Sequence, residues 1–479
     1  MASGCIRIAA CVAPALLAAC AVGPDYRRPE VDTPAVTRGQ PAPTDPESVA
    51  DLPWWEVFRD PALQALIVEA VGESHDLRAA AARVEEARNE IIVARADMLP
   101  QAGYEGRAIR QRADLAASPR NGTFNLFLGT FNLAWEIDVW GRVRRATEAA
   151  RADWLAAEAA RRGVLLTLVS DVAQAYFDLL ELDRELEITQ ATRIVFQDTR
   201  DLFQRRYAGG IGTLLEVSRA QAALSQARGD IPELERQIVA KENQISTLLG
   251  RPPGDVERRS LLNEDAVTPH VPVGLPSQLL TRRPDVVEAE QNLVAANADV
   301  GVAVASFFPR LGLTSLYGGQ STELENVVKS GGNVWAIGGS LAGPLFQGGR
   351  LLGNYRASSA AGDAAVERYL QTTLQAFAEV SDALVARQKL DFVHAERVET
   401  VTALQTSVQL SLQRYNDGVA SYFEVLEAEQ ELFPAELDLA RTQRDLLVAV
   451  VTLYRVLGGG WDVPVTDWGP TVAASDVGP

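Results

Sequence analysis

The stretch FNLFLGTFNLAWEIDVWGRVRRATEAARADWLAAEAA, residues 124–160, changes its hydrophobic period once, at Gly141. Before the glycine, Phe127, Phe131, Leu133, Trp135 and Ile137 fall on alternate positions, the period of a strand with one apolar side. After it, a helical pattern without proline continues to about Tyr207. That is ~65 residues, or on the order of 100 Å at the usual rise per residue. Helices of ordinary globular proteins average about twelve residues. A run this long therefore predicts a coiled coil or a similar extended bundle.

Working outward, the strand has a partner over about Gln101–Gln111. The two are joined at Asp114–Gly122 by Ser118-Pro119 and Asn121-Gly122, which have turn chemistry. Upstream, Asp60-Pro61 reads as an N-cap and first helical residue of a helix to about Val71, ended by Gly72. A second helix spans about Asp76–Met98 and stops before Pro100. Downstream, Gly209-Gly210 reverses the chain, and a returning helix from Thr213 to Leu249 ends at Gly250.

This unit occurs twice. At an offset of 208, Gly141, Arg142, Arg206, Tyr207, Gly210, Leu249 and Gly250 fall on Gly349, Arg350, Arg414, Tyr415, Gly418, Leu457 and Gly458. At 209, Pro100 and Gly103 fall on Pro309 and Gly312. The second strands are expected at Arg310–Tyr317 and Asn333–Phe346, with a reversal at Asp417-Gly418. The expected organisation is a signal segment at 1–19, an N-terminal segment at 20–59, a first repeat at 60–250 and a joint at 251–275. A second repeat follows at 276–458 and a tail at 459–479. The hairpins are placed at about 101–137 and 310–346, and the long helices at about 143–249 and 351–457.

A net charge of −18 argues against a nucleic-acid partner. The three cysteines, Cys5, Cys11 and Cys20, all precede residue 21, so the body of the chain has no thiol. Arg7, the apolar run through Leu16 and Leu17, and Leu17-Ala18-Ala19-Cys20 have the layout of a secretory signal and resemble a bacterial lipobox. In that reading Cys20 carries a diacylglycerol thioether and an acylated amine, a covalent lipid anchor, and no other cofactor is expected. Ile8-Ala9-Ala10-Cys11 fits the same pattern but follows too short an apolar region, and an ordinary signal peptide or a short buried helix with incidental cysteines is the plain alternative. By resemblance to enteric lipoproteins, Ala21 in place of Asp favours the outer membrane.

No later run approaches 18 consecutive apolar residues, so no transmembrane helix is expected after the signal and spanning requires strands. Four strands cannot close a barrel, and lipid tolerates no open sheet edge. A homotrimer, supplying twelve strands and paired helical hairpins around one axis, satisfies both. The expected fold class is mainly α with a small β part: duplicated strand hairpins and long helical hairpins, built into a trimeric twelve-stranded barrel that continues into a helical barrel.

Several segments together resemble the TolC-like outer-membrane efflux family, in its NodT-type lipoprotein branch. They are Cys20-Ala21-Val22-Gly23-Pro24-Asp25-Tyr26, Trp54-Trp55, Trp135 to Arg142, Gly274-Leu275-Pro276-Ser277, Arg282-Arg283-Pro284-Asp285, Pro344 to Arg350, and Leu457 to Trp461. The resemblance covers nearly the whole chain after the signal. It implies an outer-membrane exit duct that extends into the periplasm, docked by a periplasmic adaptor (membrane fusion) protein and fed by an inner-membrane RND-type pump. A type I protein-secretion channel and a non-conducting structural coiled-coil lipoprotein are the alternatives.

By the same resemblance, Phe423 and Glu427, four apart on one helix face, stand at the family's pore gate as an apolar and an acidic ring. Their repeat counterparts are Leu215 and Arg219. Gly210, Ile211 and Thr213 in one turn, and Gly418, Val419 and Ser421 in the other, resemble adaptor-contacting tips. The plainer readings are a core residue for Phe423, a solvated one for Glu427, and ordinary turn chemistry for the glycines. Phe127, Phe131, Trp135 and Trp335 read as membrane-interface anchors or as core aromatics. His75, His270 and His394 show no metal-ligand spacing, and pairs such as Glu85-Glu86 or Asp178 with Glu181 read as ordinary helix-surface charges, so neither a catalytic nor a metal site is expected.

Overall fold

The computed structural model describes residues 21–34, 37–39, 48–113, 122–258, 262 and 276–460. Cys20 and the signal segment, the first hairpin turn, most of the joint at 251–275 and Trp461 with the tail lie outside the described residues.

After short helical turns at Val49–Asp51 and Trp54–Val57 come two helices, α1 (Pro61–Glu73) and α2 (His75–Ala96). Asp60 caps α1 by accepting from the Ala62 and Leu63 backbone N–H groups, and its other oxygen accepts from the Tyr176 hydroxyl at 2.9 Å. Gly72 does not end α1 as expected. The helix runs on to Glu73 because Ser74 supplies the break, and its backbone N–H bonds back to Ala70. The hairpin follows as β1 (Gln101–Ala113) and β2 (Gly122–Ile137), then α3 (Arg142–Ala208) and α4 (Leu214–Leu248). The order recurs as α5 (Pro284–Ala305), β3 (Arg310–Ser321), β4 (Asn333–Ala342), α6 (Arg350–Asn416) and α7 (Tyr422–Val456). Helices α3 and α6 are each 67 residues long, and α4 and α7 each 35. Pro232 and Pro434 lie inside α4 and α7, which continue through them where Leu234, Ile238, Ala435 and Ala440 are buried. Packing outweighs the ~3 kcal/mol that an interior proline costs an isolated helix.

Strand β3 runs four residues beyond the expected Tyr317, and β4 stops at Ala342 rather than Phe346. Gly343 presses against Pro309, and Pro344 has no N–H to give a ladder, so the chain leaves the sheet there.

All four strands form one antiparallel sheet in the order β1-β2-β3-β4. The inner pair, β2 with β3, joins the hairpins of the two repeats, and β1 and β4 are the edges. The described residues fall into two compact units, one drawn from 21–30, 82–158 and 288–370, the other from 31–81, 159–287 and 371–460. Each unit draws on both sequence repeats. The first holds the sheet. In it, residues 22–28 are fastened by Val22 N–H to the Trp140 carbonyl, Arg145 to Asp25, and Tyr26 and Arg28 to Glu290. The second holds the largest apolar core, with Phe58, Leu63, Ile67, Tyr176, Phe177 and Tyr454 fully buried.

Candidate functional site

The sheet has two chemically different faces. Tyr104 pairs with Phe131, Phe131 with Tyr317, and Tyr317 with Trp335, so one aromatic stands on each strand in a single register row. All four are exposed, Trp335 at 70%. Leu133, Leu313, Ile337 and Leu341 share this face by the period of two and are also exposed. The opposite face carries Glu105, Arg107, Asn132, Thr314, Gln320 and Ser340. These polar groups alternate on that face with Ile109, Leu126, Leu128 and Leu316, so the faces differ chiefly in that one carries the exposed aromatic row and the other the charged and amide groups, a contrast that suits strands between lipid and a wet lumen. Of the four aromatics singled out from sequence, Phe131 and Trp335 belong to this row. Trp135 instead donates its indole N–H to the Met98 carbonyl, and Phe127 is half-buried. Tyr104 and Tyr317 were missed, because the row exists only once the strands are in register.

At the far ends of the long helices, both reversals use one device. Ile211 N–H bonds to the Arg206 carbonyl and Gly210 N–H to that of Tyr207; Val419 and Gly418 repeat this with Arg414 and Tyr415. This is a Schellman cap, and it requires the positive φ of 74° found at both Gly210 and Gly418. Thr213 caps α4 and exchanges hydrogen bonds with Glu216. Ser421 makes no such side-chain bond. Turn chemistry therefore accounts for Gly210, Gly418 and Thr213. Ile211 and Val419 are exposed, beside exposed Leu214 and Leu215.

Phe423 and Glu427 lie one turn apart on α7. Val425, Leu426, Ala428 and Glu429 are buried, whereas Phe423 is 37% exposed and Glu427 is exposed, so this pair faces away from the chain's own packing. The Arg219 guanidinium stands 4.8 Å from the centre of the Phe423 ring. The two residues matched only at unlike repeat positions thus meet across α4 and α7, a contact that offset comparison does not show.

Behind this face, Tyr422 packs edge-on against Phe203 and Tyr415, at 5.3 and 4.8 Å between centroids, and shares a hydrogen bond with Thr199. Glu429 lies on the same side of α7, buried, and burial, opposed only by the Thr199 hydroxyl, pushes its carboxyl up to about 7. The apolar spacing of Tyr422, Val425, Leu426 and Glu429 places an acid in the core stripe of α7, the one sequence signal that marks this position.

The expectation of ordinary helix-surface charges holds for Glu85 and Glu86, which are exposed, and is corrected for Asp178 and Glu181. Glu181 and Glu185 are buried on α3; Asp178 pairs with Lys241 and Arg444, and Glu185 with Arg441 at 2.7 Å. Burial, reinforced by Glu185, raises the Glu181 carboxyl. Helix periodicity could not foresee this, since the partner cations come from α4 and α7.

A sheet with an exposed aromatic face, and the same glycine cap ending each of two helices 67 residues long, are the parts of an outer-membrane channel protein. The family model for outer membrane efflux proteins matches residues 66–251 and 275–459. The chain is 34% identical over 454 residues to the probable efflux pump outer membrane protein TtgC of Pseudomonas putida, covering 93% of this chain and 94% of that one. It is 32% identical over 462 residues to the cation efflux system protein CusC of Escherichia coli, covering 96% and 99%. Among solved structures, the outer-membrane channel OprN matches with a TM-score of 0.86 at 30% identity, over 92% of this chain and all of the other. The open state of the Neisseria gonorrhoeae MtrE outer membrane channel matches at 0.83 and 29%, over 92% and 99%. The chain belongs to the outer membrane efflux protein family. It works in the outer membrane, extending into the periplasm, as the exit duct of an efflux system.

Proposed function

We propose that three copies close into one tube, anchored by lipid at Cys20, and that the tube passively conducts substrates delivered by an inner-membrane RND-type pump through a periplasmic adaptor. The sheet carries this reading. Among the described residues its outer strands β1 and β4 are each paired on one side only, to β2 and β3, and one face carries a row of exposed aromatics. In a bilayer an open edge leaves backbone groups unsatisfied at several kcal/mol each. Pairing β4 of one copy with β1 of the next, antiparallel as in the rest of the sheet, removes every edge with three copies. Ala21 packs against Gly141 at the end of β2, which supports a lipid on the preceding residue at the membrane end of the duct.

Phe423 and Glu427 form the constriction in this reading, as rings of three at the periplasmic end, where an apolar ring closes by dewetting and carboxylates select cations. The tips at Gly210, Ile211, Thr213, Gly418, Val419 and Ser421 receive the adaptor. Efflux of toluene by one relative and of cations by another fits a duct whose selectivity resides in the pump. The duct performs no catalysis. Single-channel conductance of the lipidated protein in planar bilayers tests this, comparing the native chain with Phe423→Ala/Glu427→Ala. A larger or longer-lived open level in the double variant is expected. Unchanged conductance removes both residues from the constriction, and absence of any channel in a verified membrane-inserted trimer overturns the duct.

A further inference from the structure

Glu429 is the buried acid that the duct reading leaves without a task. Its side chain is 8% exposed, and its Oε2 has no hydrogen-bond partner. It sits where α7 meets α3 and α4. Leu426, three residues before it on the same side of α7, packs with Ala220, Leu224 and Ala227 of α4 and with Phe196 and Phe203 of α3. The polar groups that act on Glu429 are the Thr199 hydroxyl of α3 and, two turns back on α7, Tyr422, which itself faces Tyr415 and Asp198. None is a cation, and no Lys, Arg or His acts on its carboxyl among the described residues. The contrast with the buried pair further along α3 is direct, since Glu185 has Arg441 in contact.

A carboxylate in such a place loses its water and gains no counter-charge, so its ionised form is penalised. The protonated form is neutral, and its O–H adds a donor that a carboxylate lacks. We propose that Glu429 is a proton-binding site that makes the packing of α7 against α3 and α4 depend on periplasmic pH. With the proton bound, α7 stays seated. When the proton leaves, the carboxylate needs water, and hydrating it pulls this stretch of α7 away from Phe196, Phe203 and Leu224. Phe423 and Glu427 lie on the same two turns, so the duct face moves with it.

The direction follows from linkage. The packed state holds the proton more tightly than an open, hydrated one whose carboxyl has its ordinary value. Packing is therefore at full strength below about pH 4.5 and weakens as pH rises through about 7. One proton changes the equilibrium by at most about tenfold per pH unit across that window.

Hydrogen exchange of the full-length trimer in lipid nanodiscs, corrected for the intrinsic pH dependence of exchange, reads the packing in peptides covering 196–203 and 422–429. Native protein should lose protection by several-fold to tenfold per unit between about pH 5 and pH 7. Glu429→Gln, neutral at every pH, should hold high protection with a flat profile, and Glu429→Asp should retain a titration. If Glu429→Gln does not assemble, Glu429→Met, uncharged and of similar length, takes its place. A flat profile in the native protein overturns the proposal. So does the same fall in Glu429→Gln, which would assign the titration to another group such as the Glu181 and Glu185 pair. The link to the constriction rests on the reading of Phe423 and Glu427, and conductance at the same pH values separates the two. If exchange titrates through Glu429 while conductance does not, the proton site stands and the constriction lies elsewhere.

Discussion

Four glycines with nearly the same backbone angle offer an internally controlled test of the fold. Gly210, Gly250, Gly418 and Gly458 have φ of 74°, 71°, 74° and 76°, each ending a long helix. Any L-residue at such an angle costs roughly 1–2 kcal/mol, and Asn somewhat less. The surroundings divide the four. A Cβ on Gly210 or Gly418 meets nothing within 4 Å, whereas on Gly250 it would stand 2.6 Å from the Glu73 carbonyl oxygen and on Gly458 2.9 Å from that of Arg282. Those oxygens are backbone, so relief requires moving α1 or the Leu279–Arg282 turn, and overpacking of this kind adds about 1–3 kcal/mol. Ala at Gly210 or Gly418 should therefore cost about 1–2 kcal/mol per chain, and Ala at Gly250 or Gly458 about twice that or more. Matched-rate thermal unfolding of the four purified variants measures the order. Equal losses at all four positions, or larger losses at Gly210 and Gly418, would refute the reasoning. The same variants bear on function: a Gly210→Ala or Gly418→Ala trimer that keeps its stability but loses efflux in cells marks these turns as the adaptor contact.

Because burial and Glu185 raise the Glu181 carboxyl to about 7, its contribution is full at acidic pH and is lost as pH rises from its ordinary range to about 7; thermal stability of the native trimer should fall from about pH 5 to pH 7, and Glu181→Gln should make that fall shallower. Arg219→Ala removes the cation over Phe423, worth ~0.5–1 kcal/mol at an exposed site; it should lengthen open events in bilayer recordings, and the effect should vanish in a Phe423→Ala background, with full additivity counting against the contact. Trp335 lies on the lipid-type face, so a lipid-borne quencher should dim native protein more than Trp335→Phe; equal quenching would place that face away from the bilayer. Tyr176→Phe strips Asp60 of one of its donors inside the core and should cost about 1–3 kcal/mol of stability, read by thermal unfolding.

Much of the architecture was legible in the chain before any coordinates. The change of period at Gly141, the proline-free run to Tyr207 and the glycine at each reversal are local signals, because strand pleat, helix pitch and positive φ each leave a mark on consecutive residues. The duplication made each such reading twice over, and α3 and α6 are indeed equal in length. Local signals also misjudged ends: Gly72 sits inside α1, and β4 gives way before Phe346, since Ser74 and Pro309, neighbours outside the pattern, decide those boundaries. What only the tertiary structure decided concerns partners distant in sequence. The pairing of β2 with β3, the single row of Tyr104, Phe131, Tyr317 and Trp335, the seat of Arg219 on Phe423, and the isolation of Glu429 among α3, α4 and α7 all arise between segments from different parts of the chain. A hydrophobic period states which way a side chain points from its own element. It carries no information about what stands opposite, and burial, charge pairing and proton affinity are set by what stands opposite.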